Sequence, residues 1–342
     1  MEYINYPALP EGEFPGCIPA LITAVHREQF EFICPEGEGR AQVKRSLNLP
    51  EMPTVGDFAA LAYDRNGLSI IHGILPRRTL FVRADSWRGG RQLVAANVDV
   101  VFITTSLNME FNVRRLERYL ALALESGAQT VFLLTKLDLA DAAMIARAEL
   151  EIERLAPGYP IIMVSAHTGD GMEELEKMLT PGLTAVLLGS SGVGKSSIVT
   201  ALLADERMRT NGSGENDKGH HTTVHRQMLQ LQTGAMLIDT PGMRELGMWD
   251  ALEGVANVFP EVEEAAGRCR FRDCTHSHEP GCAVLAGIEN GSLDPERVRN
   301  YLAMHTESSV SAIQAAKAKR KMISQSIHKM KKQQRKSGRN FD

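Results

Sequence analysis

The order of two short motifs constrains this chain more than anything in its composition. Thr135-Lys136-Leu137-Asp138 follows the apolar run VFLL and has the [NT]KxD form. A carboxylate at its last position can accept two hydrogen bonds from the N1–H and N2–H₂ of guanine, groups that adenine does not present, so such a site rejects adenine strongly. GSSGVGKSS at 189–197 comes about fifty residues later and satisfies G-x-x-x-x-G-K-[ST]. In most GTP-binding domains the phosphate loop comes first and the guanine-reading motif late. Here the order is reversed.

Both motifs sit where their chemistry needs them. An apolar strand pattern precedes 189 and a helix pattern follows it. Gly189, Gly192 and Gly194 let the backbone turn tightly and aim N–H groups at phosphate oxygens. Lys195 offers a point charge to the β- and γ-phosphates, Ser196 a hydroxyl for Mg²⁺, and the helix N-terminus a positive dipole. MLIDTPG at 236–242 ends a further apolar strand. There Asp239 is placed to hold Mg²⁺ through water and the Gly242 N–H to meet the γ-phosphate. VSAHTG at 164–169 adds Ser165 and Ala166, whose loop N–H groups suit guanine O6. The order is TKLD, SA, GKS, DTPG. Moving the first pair behind the second restores the ordinary order without breaking a motif. The reading is therefore a circularly permuted nucleotide-binding domain, since a parallel sheet tolerates new termini where the old ones lie close.

The flanking patterns agree. VDVVFITTSL, TVFLLTKLD, PIIMVSA and LTAVLLG read as buried strands. They alternate with helix patterns in NVRRLERYLALALESG, in 140–155, in GMEELEKML and in SSIVTALLA, a rhythm that implies a mainly parallel sheet covered on both faces. Residues 15–75 read as all-β, with CIPALITAVH, EFICPEG, GRAQVKRSL and DFAALAYD as short strands and a turn at Asn66-Gly67. Strands at this spacing predict a small barrel. The expected organisation is a barrel at 1–76, a basic, Gly-containing linker at 77–92, the α/β domain at 93–248, a helical metal-binding domain at 249–316 and a basic tail at 317–342.

Residues 205–226, DERMRTNGSGENDKGHHTTVHR, are polar and Gly-rich, the expected place of a switch loop. Thr222 or Thr223 would complete a Mg²⁺ shell there. Met243 stands where Ras-like enzymes carry a water-orienting Gln, so hydrolysis needs another group. His221 is the first choice and His220 the second.

CRFRDCTHSHEPGC, at 269–282, spaces Cys269, Cys274, His276 and Cys282 as C-x4-C-x-H-x5-C. Three thiolates and an imidazole suit one tetrahedral structural Zn²⁺, with His278 as a rival for the imidazole. Five cysteines, an odd number, argue against a disulfide framework, and Cys17 and Cys34 fall on barrel strands as core residues. The N-terminus has neither a basic start nor an apolar core of a signal peptide, and no apolar run approaches a membrane span, so a soluble cytoplasmic protein is expected. Charge is uneven: residues 317–342 hold ten Lys/Arg and one acid, against an acidic remainder. Such a tail favours a polyanion.

Taken together, the barrel, AANVDVVFITTSLNMEFNVRRLERYL, TKLD, GSSGVGKSS, HHTTVHR, DTPG and the Cys/His knot occur in an order that resembles the small-subunit-dependent ribosome biogenesis GTPases, the permuted family called RsgA. The resemblance spans roughly 15–300. It implies an OB-fold barrel, a permuted GTPase domain and a zinc domain. It also implies binding to the 30S subunit and its 16S rRNA in late maturation, with GTP hydrolysis stimulated by that subunit. On it, Thr135, Lys136, Leu137 and Asp138, with Gly189, Ser190, Ser191, Gly192, Val193, Gly194, Lys195, Ser196 and Ser197, would bind GTP or GDP. The family has one His, after Gly and often a basic residue, before its Thr pair; here His220 takes the place of that other residue. A protein of this kind is expected to be monomeric off the ribosome. The alternative is a slow-turnover, RNA-binding GTP sensor, and a third reading is a permuted GTPase of the large subunit.

Overall fold

The computed structural model describes residues 3–26, 29–44, 47, 49, 51–85, 90–108, 111–210, 227–239, 251–310 and 313; of 84, 85, 90, 204–210 and 239 it describes only the backbone. The chain divides into two units, Met1–Phe81 with Leu93–Leu246, and Val82–Gln92 with Gly247–Asp342.

The first unit begins with five strands, β1 (Ile18–His26), β2 (Gln29–Cys34), β3 (Gly37–Val43), β4 (Phe58–Ala62) and β5 (Ser69–Ile74). Pairing runs β1-β2-β3-β5-β4 and returns from β4 to β1, so the strands close into a barrel. Only β3 and β5 pair in parallel; the other contacts are antiparallel. This is the five-stranded Greek-key barrel of an OB fold, closed by the β1–β4 pairing. Burial alternates along β2 and β5, as one inward face requires. Ile22, Phe30, Phe32, Cys34, Leu61 and Ile71 fill the interior. Asp57 is fully buried, and burial pushes its carboxyl up; Arg77 offsets this with Nε and Nη2 at 2.7 and 2.8 Å from its two oxygens. Residues before β1 lie along the unit. The Tyr3 ring sits over Gly234, the Tyr6 ring packs edge-on against Phe58, and the Phe14 ring covers Gly73.

The second part of this unit is a sheet of six strands: β8 (Val100–Ser106), β9 (Gln129–Thr135), β10 (Ile161–Met163), β11 (Thr184–Leu188), β12 (Gln227–Gln230) and β13 (Met236–Asp239). Their order is β10-β9-β8-β11-β13-β12, parallel except for the β12–β13 hairpin. Strand β12 also pairs with barrel strand β1 at Ala24 and Gln227. Helices α1 (Val113–Ser126), α2 (Ala142–Leu155), α3 (Met172–Met178) and α4 (Lys195–Thr210) connect the strands. Asn112 caps α1, accepting from the Arg115 N–H, and Gly127 ends it in the left-handed conformation. Met172, Leu175, Ile198 and Leu202 of α3 and α4 pack on Phe102, Leu133, Leu187 and Leu237. The neighbouring strand residues Ile103, Phe132 and Leu134 are also buried, on the face that α1 covers. The permuted strand order is therefore an ordinary doubly covered sheet.

Two further strands, β6 (Leu80–Asp85) and β7 (Gly90–Ala96), form a two-stranded sheet. They occupy most of the segment expected as a linker. Its arginines and glycines hide two β-prone runs, TLFV and QLVAA, and Arg83 Nε reaches across to Gln92 Oε1 at 2.7 Å. Among the described residues from 251 onward the helices are α5 (Leu252–Val258), α6 (Pro260–Gly267), α7 (Ala283–Glu289) and α8 (295–310), with the non-helical segment 268–282 between α6 and α7. Phe259 and Tyr301 meet edge-on with centroids 5.7 Å apart, and the Arg297 guanidinium lies over the Phe259 ring. No helix among the described residues is long and apolar enough to cross a membrane.

A candidate guanine-nucleotide site and metal centre

The phosphate loop leaves β11 at Leu188 and enters α4 at Lys195. Its first glycine is required by a close approach: a Cβ on Gly189 would stand 2.2 Å from the Thr104 carbonyl of β8. Gly194 adopts φ 101°, which only glycine takes without strain. Lys195 Nζ spans the loop it closes, donating to the carbonyls of Gly189 and Ser190 at 2.6 and 2.5 Å. Val193 is buried, Ser190 and Gly194 are half-buried, and Ser191, Gly192, Ser196 and Ser197 are exposed around the first turn of α4.

The guanine-type loop leaves the next strand but one. Thr135 closes β9 and is buried; its hydroxyl donates to the Val193 carbonyl of the phosphate loop and lies 3.3 Å from the Thr105 carbonyl. The residue that opens TKLD thus joins the two loops directly. Lys136 stands in the left-handed conformation with φ 60°, turning the chain into the short 3-10 turn Leu137–Leu139 that carries Asp138. The Leu137 N–H donates to the Val164 carbonyl, tying this turn to the loop after β10. There Ser165, fully buried, donates its hydroxyl to Asp138 Oδ1 at 2.6 Å and accepts from the N–H groups of His167 and Thr168 at 3.2 and 3.1 Å. Ser165 therefore fixes one carboxylate oxygen of Asp138, while Asp138 itself is exposed and able to meet a base. Ala166 follows, half-buried.

Two residues of this site carry no motif. Arg115 Nη1 lies 3.1 Å and the Tyr119 hydroxyl 3.0 Å from Ser190 Oγ, so successive turns of α1 grip the phosphate loop. With Thr104, Thr105, Asn112, Leu116 and Val193 they line a small cleft. Their i, i+4 spacing on one helical face was the only sequence signal. Asp239 ends β13, paired with Gln227; its side chain, and Gly242, Met243, His220, His221, Thr222 and Thr223, lie outside the described residues.

In the second unit, Cys269, Cys274, His276 and Cys282 converge, their ligand atoms all within 4.8 Å of one another. Cys269 and Cys282 sulfurs are 3.9 Å apart, and His276 Nδ1 is 3.6 and 3.4 Å from them. Zinc–sulfur bonds of about 2.3 Å arranged tetrahedrally set ligand–ligand edges of roughly 3.8 Å, slightly less with nitrogen, so the donor set fits zinc. Burial lowers the His276 pKa and favours the neutral, ligating ring. His276 takes φ 57°, and Glu279 holds that turn. Its carboxylate accepts from the N–H groups of Thr275, Ser277 and His278 at 2.9, 3.0 and 3.1 Å and from the Thr275 hydroxyl. Those donors keep Glu279 well below the usual carboxylate range. The sequence flagged the four candidate ligands and missed this brace, since a Glu between His and Pro residues has no pattern of its own.

Comparison with known proteins finds two matching family profiles. The RsgA GTPase family profile covers residues 74–249, and a 50S ribosome-binding GTPase profile covers residues 184–336. A protein of Opitutus terrae described as small ribosomal subunit biogenesis GTPase RsgA is 41% identical over 312 residues, covering 86% of this chain and 84% of its own. Among solved structures, YjeQ from Thermotoga maritima is 29% identical with a TM-score of 0.60, covering 85% of this chain and 98% of its own. YloQ, described as a circularly permuted GTPase, shares the fold at 22% identity and a TM-score of 0.58, covering 87% of this chain and 97% of its own.

Proposed function

This chain belongs to the RsgA GTPase family and is a GTP hydrolase, and on that premise we propose that it acts on the small ribosomal subunit. It binds the 30S particle through 16S rRNA during late maturation, and the particle stimulates its hydrolysis. The observation that carries this reading is the joined pair of loops, in which Thr135 of the guanine motif bonds Val193 of the phosphate loop, within a chain so similar to relatives described as small-subunit biogenesis GTPases.

In this reading Asp138 selects guanine, Lys195 and the N–H groups of Gly189–Ser197 hold the phosphates, and Lys136 lies along the base. Ser196, Asp239 and Thr222 or Thr223 would hold Mg²⁺, which neutralises charge on the β- and γ-phosphates when bound. Exposed in the first turn of α4, Ser196 suits that role. His221, with His220 behind it, orients the attacking water in place of the absent Gln. Cys269, Cys274, His276 and Cys282 would hold one structural Zn²⁺. The basic tail, residues 317–342, lies outside the described residues and supplies non-specific attraction to rRNA, worth about −0.7 to −0.9 in salt slope per phosphate contact. The protein works in the cytoplasm as a monomer off the ribosome.

The experiment is GTP hydrolysis and co-sedimentation with purified 30S, 50S and 70S particles under GTP, GDP and a non-hydrolysable analogue. Stimulation and GTP-dependent pelleting with 30S alone are expected. One observation favours a second reading: the 50S ribosome-binding GTPase profile extends from β11 into the tail. Pelleting with 50S instead would move the proposal to the large subunit. Binding to 30S without stimulated turnover would make the protein a GTP sensor.

A further inference from the structure

The metal-ligand spacing leaves four residues, Arg270 to Asp273, between Cys269 and Cys274. Anchored at both ends, this loop is braced within as well. The Arg270 N–H donates to the Gly281 carbonyl at 3.1 Å, and the Cys274 N–H to the Phe271 carbonyl at 3.3 Å. Its apex carries Phe271, 41% exposed, one of the few large apolar side chains left in water among the described residues. The Arg270 guanidinium lies over this ring, 5.5 Å from its centroid. Arg268 and Arg272 are exposed on either side, and of the three arginines Arg268 is paired, with Glu264 at 2.5 Å.

The backbone bonds of Arg270 to Gly281 and of Cys274 to Phe271 hold this ring at the surface. A rigid aromatic beside exposed guanidinium groups has one ligand that uses all of its parts. An unpaired nucleotide stacks its base on the ring or the guanidinium plane and sets its phosphate against the remaining positive charge. A duplex offers the charge without a free base face.

We propose that Phe271, flanked by Arg270 and Arg272, is a stacking platform for an unpaired RNA nucleotide. The site rests on the ribosomal-RNA reading above and deepens it, placing single-strand recognition on the metal-braced loop. The zinc-loaded full-length protein and its Phe271→Ala and Phe271→Tyr variants would be titrated against a short labelled oligoadenylate and an RNA duplex of equal length. Expected is an about tenfold loss of oligoadenylate affinity in Phe271→Ala, recovery in Phe271→Tyr, and unchanged duplex binding. Equal oligoadenylate affinity in wild type and Phe271→Ala, or equal losses on both RNAs, overturns the platform. So does normal oligoadenylate binding with weakened 30S pelleting, which would assign Phe271 to a ribosomal protein. Should wild type discriminate the oligoadenylate as expected yet pellet with no ribosomal particle, the platform stands and the 30S reading falls.

Discussion

The nucleotide site and the Cys/His centre solve the same problem, holding polar groups in one place, by opposite means. The proposed nucleotide site draws on Thr104, Thr135, Asp138, Ser165 and Lys195 at or after the ends of parallel strands and on Arg115 of α1. Its contacts cross from loop to loop, so the positions depend on strand pairing and not on chain order. That is why a permuted chain keeps the site. The Cys/His centre lies wholly within 269–282, with Glu279 binding the N–H groups between its ligands. It draws its four groups from one short segment and needs no sheet, and of the four Cys282 is the buried one.

If that contrast holds, damage to one region leaves the other working. The largest expected effect is Cys282→Ser or chelation. Structural zinc contributes about 10 kcal/mol or more in small domains. Elemental analysis should show the metal gone and circular dichroism a loss of helix from the second unit, while GTP affinity stays near wild type; a lost nucleotide site would break the contrast. Lys195→Ala should lower GTP turnover by roughly 10²–10³, the scale for removing one preorganised charge from a developing anion, with zinc content unchanged. Asp138→Asn should weaken GTP by about a hundredfold, two hydrogen bonds to a charged group being at stake, and should favour xanthosine triphosphate; equal GTP affinity would remove Asp138 from the base site. Glu279→Ala should reduce zinc affinity by about 10–100-fold, as loss of outer-sphere support does, measured by chelator competition. Smallest is Ser165→Ala, which frees one Asp138 oxygen: GTP affinity should fall by about tenfold with turnover of the bound nucleotide preserved.

Motif order alone implied the permutation, because each motif is a local demand: glycines for φ that other residues avoid, a lysine at fixed reach, and thiolates at tetrahedral spacing. The strands and helices around those motifs were legible for the same reason, each being written in its own periodicity. What tertiary structure decided was everything that joins distant segments. Pattern could predict a small barrel over 15–75, but its closure depends on β4 finding β1 and β3 lying parallel to β5. The strands β6 and β7 were hidden where they fall within 77–92 because arginine and glycine say loop locally, whereas the two strands gain their stability from each other. In the nucleotide site the sequence marked Thr135, Asp138 and Ser165 as base-binding residues. Only the packed sheet turned the Thr135 hydroxyl to Val193, set Ser165 behind the Asp138 carboxylate and brought Arg115 and Tyr119 to Ser190. A hydrogen bond between residues 58 or 75 positions apart leaves no periodic trace in the chain, since its geometry comes from strand register and helix packing and not from the residues alongside it.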